Sequence, residues 1–340
     1  MRITIITINY NSSENTIQLL ESLKKQTDPA QSNSADHQSD KGRTLSGASK
    51  DFEIIVVDND SDDVGKLMNY QTAETNIIYI KNDNNLGFSG GNNVGIKKAL
   101  ENGTDWVLLL NNDTWVESPF IAQLKANLDS SAGSEQGDKE GIIGLAIDEG
   151  DRIAFAGKIG WLKPTLPHIN NAKAISNFQF PISNEFSNPN SSNGKRKMVN
   201  DKCFYAIGGA MLIHKDVFDR IGLLDEKYFL YFEDADFCQR ARKAGIPVSF
   251  FPEIKIAHSV SSSTKKLGSP MLLRYHYRNA LYFNLKNGSW YIKLLVWPWS
   301  WIIILKQIIK ITIGQKREQS LAILRGVGDW YSNKMGKLHD

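Results

Sequence analysis

From its third residue the chain alternates short β-branched runs with amphipathic segments, and the early runs stop at clusters of polar residues. Ile3-Thr4-Ile5-Ile6-Thr7-Ile8 is short and β-branched throughout, the pattern of a strand buried on both faces rather than of a helix. It ends at Asn9-Tyr10-Asn11, after which Ser13 opens a helical pattern to Lys25 carried by Ile17, Leu20 and Leu23. Strand-like runs recur at 53–57, 76–80, 106–110, 141–147, 205–213 and 248–251. Helical patterns lie at 91–102, 215–221 and 234–244, the last two each stopped by a glycine. This alternation predicts the α/β class, a Rossmann-like, doubly wound, mainly parallel sheet. Ligands of such sheets bind beyond the C-terminal ends of the strands, so the polar clusters that follow strands are the candidate site. The stretches 28–50, 129–140 and 170–200 are polar and aperiodic and read as surface insertions of a unit spanning 1–265, the last two with a lid as the other reading.

Three strand ends carry such clusters: Asn9-Tyr10-Asn11, Asp58-Asn59-Asp60-Ser61-Asp62-Asp63 and Asn111-Asn112-Asp113. In a nucleotide site a Tyr stacks on the base, one carboxylate accepts from a base imide N–H, and a second holds a divalent cation against a diphosphate. Taken singly, each cluster is as well explained by Asp and Asn ending a strand as turn formers. Between the second and third lies Asn84-Asn85-Leu86-Gly87-Phe88-Ser89-Gly90-Gly91-Asn92-Asn93-Val94-Gly95, a glycine-rich turn able to bring backbone N–H groups close to a phosphate or sugar. It is neither a GxGxxG nor a Walker A motif, since Gly95 continues into Ile96-Lys97 rather than Lys-Ser/Thr. Further on, Glu233-Asp234-Ala235-Asp236 stands where a helix begins, and the helix dipole would keep Asp234 ionised, ready to accept a proton from a hydroxyl nucleophile. His258 follows a late strand, and an imidazole would suit a cation already held by Asp113.

The charge is unevenly distributed: 17 Lys and Arg stand against 4 Asp and Glu from Arg240 onward, with 23 against 33 before it. Residues 290–305 are almost wholly apolar, interrupted by Lys293, Pro298 and Ser300, and five of the eight tryptophans lie at or after Trp290. The run is shorter than the roughly 20 residues of a spanning helix, and Trp and Lys beside aliphatic residues suit an interfacial anchor on anionic lipid. The part from 266 to 340 is therefore expected to be an amphipathic helical appendage that meets an anionic membrane surface, with a core helix or a homodimer interface as its other readings. Nucleic acid is not an expected partner, because the basic residues accompany long aliphatic runs and no recognition module is present. Cys203 and Cys238 have no metal or disulfide spacing, and residues 1–11 lack a signal-peptide core, so a cytoplasmic protein, peripheral at the inner face of the membrane, is expected.

Taken in order, Asn9-Tyr10-Asn11, Val57-Asp58-Asn59-Asp60-Ser61, Asn85-Leu86-Gly87-Phe88 with Gly91-Asn92-Asn93-Val94-Gly95, Leu110-Asn111-Asn112-Asp113-Thr114, Gly208-Gly209-Ala210, Glu233-Asp234-Ala235-Asp236 and His258 resemble family 2 glycosyltransferases, and within them a rhamnosyltransferase-like branch. The resemblance spans about residues 1–287 and rests on seven motifs in order. It implies a GT-A fold and an inverting transfer from a nucleotide diphosphate donor, a dTDP- or UDP-sugar with dTDP-rhamnose favoured, to a saccharide or lipid-linked saccharide of a surface polysaccharide. It also implies that Tyr10 and Asp58 contact a pyrimidine base, with Asn9, Asn11, Asp60, Asn85, Gly87, Asn92, Asn93 and Asn112 completing the donor site. Asp113 would bind Mg²⁺ or Mn²⁺ with help from His258, and Asp234, with Glu233 beside it, would be the general base. The first position of the DxD-like motif is Asn111, which leaves Asp113 as its one carboxylate. Arg278-Asn279 within Tyr275-His276-Tyr277-Arg278-Asn279 matches the same branch, though an amphipathic helix with a surface arginine explains it equally well. The rival functions are a binding protein of the same fold without catalysis, which would not need Asp234, and a nucleotidyltransferase, whose N-terminal basic glycine-rich loop is missing.

Overall fold

A computed structural model describes residues 1–27, 52–71, 77–131, 141–171, 204–258 and 269–338. The insertion expected at 28–50 and most of those at 129–140 and 170–200 lie outside the described residues. Strands β1 (Ile3–Asn9), β2 (Phe52–Asp58), β3 (Ile77–Lys81) and β4 (Trp106–Leu110) pair in parallel in the order β3-β2-β1-β4. Helices α1 (Ser13–Lys24), α2 (Val64–Gln71) and α3 (Gly87–Glu101) lie on the connections between them. Because the chain runs outward from β1 to β3 and returns to the other side of β1 with β4, the order reverses beside β1, which places the ligand crevice at its C-terminal end. Ile6, Ile55, Val57, Val107 and Leu109 feed one core, and Ile5, Ile54, Val56 and Leu108 the other. Both faces are covered, so the strands read as unbroken apolar runs instead of alternating ones.

Beyond β4 come β5 (Thr114–Trp115), α4 (Phe120–Ser131), β6 (Ile142–Asp148), β7 (Ile153–Ala154), β8 (Ala156–Lys158), β9 (His168–Ile169), β10 (Phe204–Tyr205), β11 (Ala210–His214), α5 (Lys215–Ile221), α6 (Glu233–Lys243) and β12 (Val248–His258). Strand β11 enters antiparallel between β4 and β6, and β12 runs parallel to β6. The single strand expected over 205–213 is two: β10 joins β8 and β9 in a small sheet, and β11 joins the large one. The break falls at Gly208-Gly209, where a side chain on Gly209 would run into the Asn111 amide about 2.7 Å away. Helix α3 begins at Gly87, four residues earlier than expected, because its glycines fit the sheet: a Cβ on Gly95 would lie 2.5 Å from Ile6 and on Gly91 3.0 Å from Ile8.

Three helices follow, α7 (Pro270–Asn287), α8 (Trp290–Thr312) and α9 (Arg317–Tyr331). They pack around Leu281, Val296, Ile303, Ile323, Val327 and Trp330, and Arg274 of α7 grips Asp329 of α9 through two hydrogen bonds of 2.6 and 3.1 Å. Helix α8 is continuous through Pro298 and 23 residues long, longer than the apolar run suggested. Its buried residues, Ile292, Val296, Ser300, Ile303 and Gln307, form a single stripe.

Candidate active site

In the register of the sheet Asn9 stands opposite Asp58 and Ile6 opposite Leu109, so β1, β2 and β4 end together and their following loops converge. They form a cleft of about 360 Å³ walled by Tyr10, Asn59, Asn85, Gly87, Phe88, Asn111, Asn112, Asp113, Phe229 and Leu230. Tyr10 is 51% exposed at its mouth, which leaves the ring face available to a planar ligand. Asp58 is buried, with one oxygen accepting from the Asn9 side chain at 2.7 Å and the other from the Ser61 backbone at 3.0 Å. Asn9 is fully buried and in turn accepts from Thr16, whose hydroxyl receives the Asn112 amide at 2.9 Å. Asn9 thus orients Asp58 and Asn112 from behind instead of facing the cleft. Asn11 and Asp60 are exposed turn residues in left-handed conformations, and the Asn11 side chain accepts from the Asp62 backbone at 2.7 Å.

The glycine-rich segment differs from the expected phosphate-cradling turn. Gly87 has φ of 72° at the start of α3, and a Cβ there would collide with the carbonyl and ring of Phe229. Asn92 is buried and donates to the Phe88 carbonyl at 3.0 Å. Asn93 is also buried, donates to the Leu224 carbonyl and to Glu226 at 2.9 Å each, and accepts from the Leu224 backbone. Both lie inside a helix, and neither is among the residues that wall the cleft. Asn59, by contrast, lines the cleft and was not among the expected donor-binding residues. Its side chain binds Asn85 and the Gly87 carbonyl and accepts from Asn82 and the Leu86 backbone, holding loop 82–87 in place. A signal existed in Asn59 itself, between two acids at a strand end. Gly87→Ala is expected to destabilise the protein by about 2 kcal/mol or more, since the left-handed backbone alone costs a substituted residue about 1 kcal/mol and the collision adds to it. Thermal or urea unfolding checks this, and an unchanged midpoint would mean that loop 227–232 moves aside freely.

Asp113 and His258 are 145 positions apart in sequence yet adjacent, because β12 pairs antiparallel with β5 so that His258 stands opposite Thr114. His258 Nε2 lies 3.2 Å from an Asp113 oxygen, and Nδ1 lies 4.0 Å from Glu149 on the other side. Burial lowers the His258 pKa, but the hydrogen bond and charge of Asp113 and the charge of Glu149 outweigh it and hold the pKa above the usual histidine value. Glu149 was not anticipated; it directly follows β6, where it could have been found as one more acid at a strand end. Among the described residues no third carboxylate, Cys or His joins Asp113 and His258 in a metal cluster. One carboxylate and one imidazole side by side could together hold Mg²⁺ or Mn²⁺.

Asp234 sits in the first turn of α6, where one oxygen accepts from the Gly208 backbone at 3.0 Å and the other from Ala235 at 2.7 Å. Gly208 lies between it and the cleft wall, since a Cβ there would stand 3.1 Å from the Phe88 ring and 3.3 Å from Asp234. Burial raises the Asp234 pKa to about 6 against the backbone N–H bonds, which lower it. The helix start was expected to keep this group ionised; burial works against it and leaves the carboxylate more basic than an exposed one. Glu233 is more deeply buried, and burial with the charges of Asp234 and Asp236 pushes its pKa well up. One of its oxygens has no hydrogen-bond partner. Asp236 points elsewhere, into a buried network with Tyr228, Arg240, Lys286 and Asn287 that pins α6 to α7.

The family model for glycosyl transferase family 2 matches residues 4–137, from β1 to the end of α4 and beyond. A dTDP-rhamnosyl transferase of Shigella flexneri is 23% identical over 248 residues, 69% of this chain and 71% of its own length. An N-acetylglucosaminyl-diphospho-decaprenol L-rhamnosyltransferase of Mycobacterium tuberculosis is 24% identical over 121 residues, 35% of this chain and 39% of its own. A mannosyltransferase of Pyrobaculum calidifontis, solved with GDP-mannose and Mn²⁺, superposes over 98% of this chain and 88% of its own with a TM-score of 0.52 at 10% identity. At that identity the likeness is one of fold, and the fold is GT-A.

Proposed function

We propose, for a chain whose residues 4–137 match the family model for glycosyl transferase family 2, that it transfers a sugar with inversion from a pyrimidine nucleotide donor to a saccharide or lipid-linked saccharide at the cytoplasmic face of a membrane. The observation that supports this reading is a cleft with an exposed ring, Tyr10, at its mouth, Asp113 in its lining with His258 3.2 Å from that carboxylate, and Asp234 next to Gly208, which adjoins the lining residue Phe88. In this reading Tyr10 packs on the base and Asp58, fixed by Asn9, receives its imide N–H. Asp113 and His258 would hold Mg²⁺ or Mn²⁺, which would supply positive charge against the departing diphosphate. Asp234 takes the proton of the acceptor hydroxyl as its oxygen bonds to the anomeric carbon. The bond from that carbon to the diphosphate breaks on the opposite face, with its electron pair leaving on the nucleotide. The donor favoured is dTDP-rhamnose, since two relatives carry rhamnosyl transfer in their names.

Helix α8 supports the membrane part. It has three lysines and no acidic residue, and outside its buried stripe it exposes Trp290 (74%), Leu294 (63%), Trp301 (64%) and Leu305 (60%). At about 35 Å it is long enough to cross a bilayer. It is nevertheless fastened along one side to α9, which exposes Arg317, Glu318 and Arg325, and Ser300 bonds Tyr331 of that helix at 2.6 Å. Inserting α8 across a membrane would carry those charges with it, whereas lying in the interface leaves them in water.

Calorimetry with dTDP, UDP, GDP and NAD, each with and without Mn²⁺, tests the reading. Metal-dependent binding of a pyrimidine diphosphate is expected, with dTDP the tightest. Binding of NAD alone, or of none, would overturn it.

A further inference from the structure

The loop between α5 and α6 is held in a conformation that L-residues seldom adopt: Phe229, Tyr231 and Phe232 have φ of 63°, 70° and 75°. It nonetheless occupies the centre of the site. Phe229 and Leu230 wall the cleft, the Phe229 carbonyl accepts from the Phe88 backbone at 2.7 Å at the start of α3, and Phe232 directly precedes Glu233 and Asp234. What holds it comes from α7. The Asn279 amide donates to three of its carbonyls, Tyr228 at 3.0 Å, Leu230 at 2.7 Å and Tyr231 at 3.1 Å. Arg278 donates to the Tyr228 carbonyl at 3.1 Å, to Asn279 at 2.9 Å, and to the carbonyls of Lys334 and Gly336. Gly336 returns a backbone bond to Lys227 at 2.8 Å. Two rings of the same helix stack on the loop, Tyr275 on Phe229 and His276 on Tyr231, with centroids 5.4 and 4.0 Å apart. Both Arg278 and Asn279 are fully buried, and burial lowers the guanidinium pKa to about 10, so the surface arginine reading of this motif does not hold. A buried cation is costly unless its donors are used. Here they are used on backbone carbonyls of one loop and of the segment after α9.

We infer that Arg278 and Asn279 are positioning residues that clamp the 228–232 loop in its left-handed conformation, fixing at once the cleft wall and the place of Asp234. The inference rests on the glycosyl-transfer reading for its catalytic consequence but not for the clamp itself. An isosteric change, Asn279→Asp, replaces the donor of all three bonds by a carboxylate facing carbonyl oxygens.

The experiment uses the full chain and three measurements: amide hydrogen exchange, calorimetry with the pyrimidine diphosphate that binds the wild type, and release of that nucleotide from its sugar donor in the presence of acceptor saccharide. For Asn279→Asp, exchange over 229–232 is expected to rise by about tenfold or more while β1 to β4 stay protected. The rate at saturating donor is expected to fall by about 100-fold, with nucleotide affinity kept within about threefold. Unchanged exchange in the loop, equal acceleration throughout the sheet, or a loosened loop with an unchanged rate would each overturn the inference. If the wild type releases nucleotide from no sugar donor, the glycosyl-transfer reading fails, and the exchange measurement alone decides whether the clamp exists. Should Asn279→Asp not fold, Arg278→Lys keeps the charge but loses the fork, and faster exchange at 228–232 is required of it as well.

Discussion

Asp234→Asn is expected to lower kcat by about 10³-fold while leaving the affinity for nucleoside diphosphate within about threefold. The amide keeps the shape and can still accept from the Gly208 or Ala235 backbone, but it cannot take a proton from the acceptor hydroxyl. The same geometry fixes the pH dependence. With the Asp234 pKa raised to about 6, the wild-type rate rises with pH through that value and is flat above it. Stability runs the other way. A carboxyl whose folded pKa lies above its ordinary 3.8 costs nothing below that pH, and its cost grows until the group is ionised in both states, above about 6. At pH 7 that interval corresponds to about 3 kcal/mol. Asp234→Asn removes it, so the variant is expected to melt higher than the wild type at pH 7 and equally at pH 3. A lower rate with a higher melting temperature separates a lost base from a damaged fold. Unchanged turnover, or a parallel loss of nucleotide affinity, would remove Asp234 from the role.

Much of this architecture was legible because of one physical circumstance, burial on both faces. A parallel strand covered on each side carries an unbroken β-branched run, as at Ile3 to Ile8, and the polar cluster that ends the run marks the crevice end of the sheet. The convergence of Tyr10, Asn59 and Asp113 follows from strand order alone. What could not be read was how glycine and asparagine are used. Gly87 to Gly90 look like a loop by propensity, yet they open the helix expected from Gly91, and the packing of Gly91 and Gly95 against Ile8 and Ile6 takes Asn92 and Asn93 inside with it. The same limit applies to Arg278. Sequence periodicity places it on a helix face but cannot tell that the 228–232 loop and residues 334–336 cover that face. Glu149 shows the third case, a residue whose part depends on a partner more than 100 positions away.

Replacing Leu294, Trp301 and Leu305 together by Glu is expected to weaken binding to phosphatidylglycerol vesicles by about 10³-fold or more, taking about 1.5–3 kcal/mol for each large apolar side chain withdrawn from the interface. All three are exposed, and the stripe of Ile292, Val296, Ser300, Ile303 and Gln307 that fastens α8 to its neighbours is untouched, so the fold is expected to be kept. Lys293, Lys306 and Lys310 add attraction to anionic lipid, so wild-type binding should weaken as salt rises and fall sharply on phosphatidylcholine. Vesicle sedimentation reads both effects, and equal sedimentation of the triple variant would sink the interfacial assignment. Sedimentation velocity of the same proteins without lipid separates the alternative: a wild-type dimer that the triple variant breaks, with no vesicle binding by either, would make the exposed face a contact between copies. None of the three side chains walls the cleft, so nucleotide binding should be indifferent to the change. Transfer to a lipid-linked saccharide should fall with vesicle binding, and transfer to a water-soluble saccharide should not. That divergence would tie α8 to delivery of the acceptor, because a helix that merely stabilised the fold would depress both reactions alike.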